Sequence, residues 1–121
     1  MRIFVIPLLM MATSCHSANY FKKDIPELCG KTERQLLHKF GKPVEVRTNS
    51  VEQFAQAPEP WQPSTQAVLS IYPTNIPANL FVEIRSLSWQ KGRIMITAWV
   101  HLQGQQWIAL YVEKWNMDTI E

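Results

Sequence analysis

LFVEIRSLSWQKGRIMITAWVHLQGQQWIALYVEKW, from Leu80 to Trp115, holds three apolar and aromatic runs separated by two polar segments, each carrying a glycine. Alternation at period two marks strands. In the middle run Ile94, Ile96, Ala98, Val100 and Leu102 share one face, and Met95, Thr97, Trp99 and His101 share the other. In the last run Ile108, Leu110 and Val112 fall together, opposite Trp107, Ala109, Tyr111, Glu113 and Trp115. In the first, Leu80, Val82 and Ile84 alternate with Phe81, Glu83 and Arg85. The phase then slips at Ser86-Leu87, where a β-bulge is expected. Gln90 to Arg93 and Gln103 to Gln105 read as hairpin turns. The stretch predicts a three-stranded antiparallel meander with one aliphatic and one aromatic face.

Upstream, Thr32 is a good N-cap and Gln35 completes a capping box, T-E-R-Q. Leu36, Leu37 and Phe40 give that helix an apolar face, Gly41 suits its C-terminal end and Pro43 stops it, so it spans about Glu33 to Phe40. So short a helix is marginal alone and must dock on the sheet. Val44 to Thr48 alternates as a first strand, and Gln66 to Tyr72 reads as a second. Between them, residues 49–65 carry Pro58, Pro60 and Pro63 and read as an extended Pro-rich loop. Trp61 there is either the tip of a recognition loop or a lid packed on the core. The expected class is α+β: one short helix on a twisted antiparallel meander of three to five strands.

A chain of 121 residues with 46% hydrophobic content fits one domain. A net charge of +2 is too small to suggest a nucleic-acid partner. His16, His38, His101 and the two cysteines have no metal-ligand spacing, and no cofactor is expected. No GxSxG, HExxH or Gly-rich phosphate loop appears, so the chain reads as a non-enzyme.

The first residues, MRIFVIPLLMMATSC, have one basic residue, an apolar run from Ile3 to Ala12, and small residues before Cys15. That run is too short to span a bilayer, which takes ~20 residues, and its small-residue end points to cleavage. It resembles the lipobox signal of bacterial lipoproteins, although the third position before the cysteine is Ala12 where that family prefers Leu. The resemblance implies a signal peptide over 1–14, acylation of Cys15, a tether over 15–28 and a single domain over 29–121. His16 after the cysteine implies sorting to the outer membrane, facing the periplasm. An ordinary secretory signal or an apolar first strand are the alternatives. With Cys15 acylated, Cys29 would be a buried thiol or bond another molecule; without acylation, a Cys15–Cys29 disulfide is possible.

Gly30 to Pro43, GKTERQLLHKFGKP, resembles the signature of the BamE (SmpA/OmlA) domain of small outer-membrane lipoproteins, through Gly30, Thr32, Gln35, Leu36, Phe40, Gly41 and Pro43. The resemblance implies a helix followed by a three-stranded sheet, and an accessory role in outer-membrane assembly or integrity. The Pro-rich insertion, the extra tryptophans and the lack of a helix before Gly30 depart from that pattern. The expected function is a bilayer-anchored, non-catalytic binding subunit. Its docking face would present Trp99, His101, Trp107, Tyr111 and Trp115, with Trp61 nearby, since tryptophan and tyrosine dominate binding hot spots. The alternatives are a periplasmic inhibitor or immunity-type lipoprotein blocking a hydrolase through its Trp61 loop and Gly104 turn, or a sheet covered on both faces within the monomer.

Overall fold

The computed structural model describes residues 22–116. Five strands form one antiparallel sheet: β1 Lys22–Asp24, β2 Glu45–Ser50, β3 Glu83–Lys91, β4 Ile94–Gln103 and β5 Gln106–Asn116, in the order β1-β5-β4-β3-β2. Three short helices, α1 Glu33–Phe40, α2 Val51–Ala55 and α3 Pro63–Ile71, join two 3-10 turns at Pro26–Leu28 and Pro77–Phe81. The class is α+β, and the meander is β3, β4 and β5.

Two-residue loops close both hairpins. Lys91 pairs with Ile94 around Gly92-Arg93, and Gln103 pairs with Gln106 around Gly104-Gln105. Each glycine takes positive φ (64° and 66°) at the first loop position while Arg93 and Gln105 do not. This is the II′ arrangement, whose twist matches the flanking strands.

The irregularity lies in β5 rather than at Ser86-Leu87. Pairing of β3 with β4 is continuous from Ile84↔His101 to Lys91↔Ile94. Between β4 and β5, Trp99 faces Tyr111 while Val100 faces Ala109, so Leu110 is the extra residue of a bulge. Alternation in β5 therefore changes phase at Leu110. Trp107 and Ala109 join Val112 on the Ala98 and Val100 face, while Leu110 and Tyr111 both turn to the other. The apparent slip in β3 has a different cause. Ile84 is buried beneath one face, and Leu87 and Trp89 beneath the opposite one, in an unbroken strand.

Each face has its own core. On the first, Leu36 of α1 and Leu28 meet Leu87, Trp89, Ile96, Ala98, Val100, Ala109 and Val112, with Leu37 and Phe40 at the margin. The α1 boundaries and capping box are as expected: Gln35 N–H donates to Thr32 Oγ1 at 3.1 Å and Thr32 N–H to Gln35 Oε1 at 2.9 Å. This face is not purely aliphatic. Trp89 packs against Phe40 with ring centroids 5.1 Å apart and donates its indole N–H to the Gly41 carbonyl at 2.8 Å.

The second face is covered by the segment expected to be a loop and a strand. Ser50 and Gln53 form a second capping box, S-V-E-Q, that starts α2: Ser50 N–H donates to Gln53 Oε1 at 2.7 Å. Residues 66–72 are not a strand; Pro63 at the first turn opens α3, which runs through Ile71. Ser64, Ala67 and Val68 are buried and Ile71 half-buried, the stripe a helix makes and a strand does not. Beneath lie Ile84, Leu110 and Tyr111, which meet Val51 of α2 and are flanked by Phe54, Tyr72 and Trp99. Replacing Ser50 by Ala should cost about 1 kcal/mol, measured by urea denaturation; an unchanged midpoint would show that the cap does not hold α2.

Residues 22–28 are part of the fold rather than a free tether. β1 pairs with β5 (Lys22↔Trp115, Asp24↔Glu113), and Leu28 is buried in the first core. The first meander strand starts at Glu83, not Leu80, because Leu80 and Phe81 lie in the 3-10 turn. The signal-peptide reading falls on residues outside those described.

Candidate functional site

The residues expected on one aromatic docking face are divided. Tyr111 is 0% and His101 3% exposed. Trp99 is half-buried and packs on Tyr111 with ring centroids 5.6 Å apart. These three lie under α2, α3 and the turn at 77–81, so the covered-sheet alternative describes them. Trp115, half-buried, is paired with Met95 and Lys22 near a sheet edge. Trp61 is 66% exposed just before α3, so it is not a lid on the core.

At the second core, half-buried Tyr72 and buried His101 form a polar pair, Tyr72 OH to His101 Nδ1 at 2.7 Å. His101 Nε2 has no hydrogen-bond partner among the described residues. Burial lowers the His101 pKa and raises that of Tyr72, the latter partly offset by a hydrogen bond from Gln103. Both shifts favour the neutral forms in the folded state. Below the ordinary histidine value of ~6.5 the unfolded chain binds a proton first, so stability falls with pH. Above ~10 the unfolded tyrosine ionises first, so stability falls as pH rises. Urea midpoints should therefore fall as the pH drops from 7 to 5, and His101→Gln should lessen that fall; a midpoint unchanged from pH 7 to 5 would contradict this.

Trp107 has a different setting again. The Leu110 bulge turns it to the first face, where the Arg85 guanidinium lies 4.1 Å from its ring centroid. Glu33, in the first turn of α1, holds Arg85 Nη1 at 2.8 Å. Both side chains of this ion pair are partly shielded, at 30% and 20% exposure. Around the stack opens a cleft of about 490 Å³, lined by Thr32, Glu33, Arg34, Leu37, Arg85, Gln105, Gln106 and Trp107. Its volume is in the range of ligand sites. Leu37 and the indole supply an apolar floor, and the β4–β5 turn and α1 supply polar walls. Of the docking and signature residues named from the sequence, Trp107 and Thr32 line it.

The signature residues build this corner. Gly30 N–H donates to the Ala109 carbonyl at 2.9 Å, and Ala109 N–H to the Lys31 carbonyl at 2.8 Å, clipping the chain to β5 beside the bulge. Thr32 and Gln35 cap α1, Leu36 and Phe40 seat it, and Gly41, at φ 86°, ends it and accepts from Trp89. Pro43 follows before β2 begins at Glu45.

In sequence Leu37 is legible only as helix face and Arg85 only as a strand residue; that they form a site with Glu33 is not, because their meeting is nonlocal: the ion pair joins positions 52 apart. A charged residue between Ile84 and Leu87, mid-strand, was the one available signal, since arginine inside a strand that buries both faces needs a partner.

Cys29 is half-buried and disulfide-bonded, not a buried free thiol, and its Sγ lies 3.6 Å from the Leu110 carbonyl oxygen. No second cysteine lies among the described residues, and Cys15 is outside them. Among the described residues no cluster of His, Cys, Asp and Glu could hold a metal ion, and no helix is long and apolar enough to cross a membrane.

No family model, no curated protein and no solved structure matches the chain.

Proposed function

We propose that this chain is an exported cell-envelope lipoprotein of BamE-like type, acting as a non-catalytic binding subunit. It is anchored to the outer membrane through acylated Cys15 and faces the periplasm, with a role in outer-membrane assembly or integrity. The observation that carries the binding role is the Trp107–Arg85–Glu33 cleft, which replaces the aromatic sheet face as the docking surface. Support for export comes from the charge, apolar run and small residues that precede Cys15. The disulfide at Cys29 suits an oxidising compartment.

The chain has two cysteines, so acylation of Cys15 requires the Cys29 bond to reach another molecule. A bond to Cys15 would instead exclude the thioether. Palmitate labelling that disappears in Cys15→Ala supports the lipoprotein. Labelling unchanged by that substitution, or an intact non-reduced mass of an unacylated, internally bridged chain, refutes it. Docking is tested by a photo-crosslinking residue at Trp107 in native envelopes: a discrete crosslinked envelope protein is expected, and none refutes the docking surface.

The exposure of Trp61 favours a second reading, the periplasmic inhibitor or immunity-type lipoprotein, in which the Trp61 segment and the Gly104 turn would block a hydrolase. Failure of the domain lacking residues 1–15 to inhibit lysozyme or another envelope hydrolase would remove that reading.

A further inference from the structure

We infer that the cleft beside Trp107 takes the C-terminal end of a partner polypeptide: an apolar last residue bearing a free carboxylate. This deepens the binding role proposed above and rests on it. Three observations carry it.

The cleft holds unused donors. A guanidinium has five N–H groups, and among the described residues Arg85 uses only Nη1, for Glu33. Arg34, Gln105, Gln106 and Trp107 also line the cleft, and their side-chain donors have no hydrogen-bond partner among the described residues. Trp89, by contrast, spends its indole N–H on Gly41. At the start of α1 the Thr32–Gln35 box already engages the Thr32 and Gln35 N–H groups.

Arg85 is also pre-set. Stacking on Trp107 and the bond to Glu33 fix the guanidinium plane before any ligand arrives. A planar fork held in place recognises a carboxylate bidentately with little further loss of freedom.

Charge and apolar content then choose among oxyanions. Arg34 and Arg85 set against Glu33 leave one positive charge in the cleft, which balances a monoanionic carboxylate and not a phosphate dianion. The Leu37 and Trp107 floor would bury an apolar side chain beside that carboxylate. The Gln105 and Gln106 amides can pair with the peptide groups behind it. Capture of a C-terminal carboxylate is a known mode of peptide recognition; here side-chain donors would supply it.

The test is fluorescence polarisation with the full chain and an amino-terminally labelled hexapeptide ending in Ala-Leu, as free acid and as amide, with inorganic phosphate as competitor. The free acid is expected to bind at least about tenfold more tightly than the amide. Arg85→Gln and, as a variant that leaves the Glu33 bridge intact, Arg34→Gln should each weaken the acid and leave the amide unchanged. Equal affinity for acid and amide, no binding of either, or displacement by phosphate at equal concentration would overturn the inference. If the peptide fails while a residue at Trp107 still crosslinks an envelope protein, the ligand class is wrong and the docking surface stands. Peptide binding without any envelope crosslink would separate the two the other way.

Discussion

Trp89→Ala is expected to remove about 3–5 kcal/mol of stability, the cost of deleting a large buried aromatic side chain. Trp89 is 1% exposed and belongs to the core that joins α1 to the sheet. The substitution empties that space, strips Phe40 of its ring partner and leaves the Gly41 carbonyl without the indole donor. A small domain has ~5–15 kcal/mol in total, so the variant should sit near the edge of folding. Trp89→Phe keeps much of the volume and loses the hydrogen bond, costing nearer 1–2 kcal/mol. Urea denaturation by tryptophan fluorescence and circular dichroism measures both. A loss below 1 kcal/mol for Trp89→Ala would mean that α1 is not held to the sheet through this residue.

Deleting Leu110 should be little worse than truncating it. Leu110→Ala keeps the bulge and removes buried methyl groups, for about 2–4 kcal/mol. Deletion removes the same side chain together with the extra residue, so that Ala109 adjoins Tyr111 opposite Val100 and Trp99 and the pairing becomes continuous. Trp107, Ala109 and Val112 then keep the first face and Tyr111 the second. Gly30 and Lys31 keep their register with Ala109. Both variants are expected to unfold in a single cooperative transition, with losses of similar size. Loss of cooperative unfolding on deletion alone would show that β5 carries no bulge, because in a regular strand the deletion sends one part of it to the opposite face.

What the sequence disclosed follows from how local each signal is. The α1 boundaries, its capping box and the two glycine hairpins depend on residues within a few positions of one another, and all were legible. The second capping box, Ser50 to Gln53, obeys the same rule but was hidden by the prolines that follow it. Residues 66–72 form a short apolar run with Val68, Ile71 and Tyr72 that passes for a strand; Pro63 as a first-turn residue and the stripe from Ser64 to Ile71 decide for a helix. The bulge was not legible, because β5 alternates regularly in sequence and only its pairing to Trp99 and Val100 reveals the extra residue. That single residue misplaced Trp107 among the aromatics of the second face. The cleft followed it out of view, since Arg85 and Glu33 meet Trp107 only on the first face.

Trp107 therefore decides the account, and nuclear Overhauser contacts from its indole ring measure its place directly. Contacts to the Arg85 side chain and the Leu37 methyl groups, with none to Trp99 or Tyr111, are the result expected of a tryptophan turned into the cleft by the Leu110 bulge. Contacts from Trp107 to Trp99 or Tyr111 would return it to the second face and remove the cleft from the functional reading.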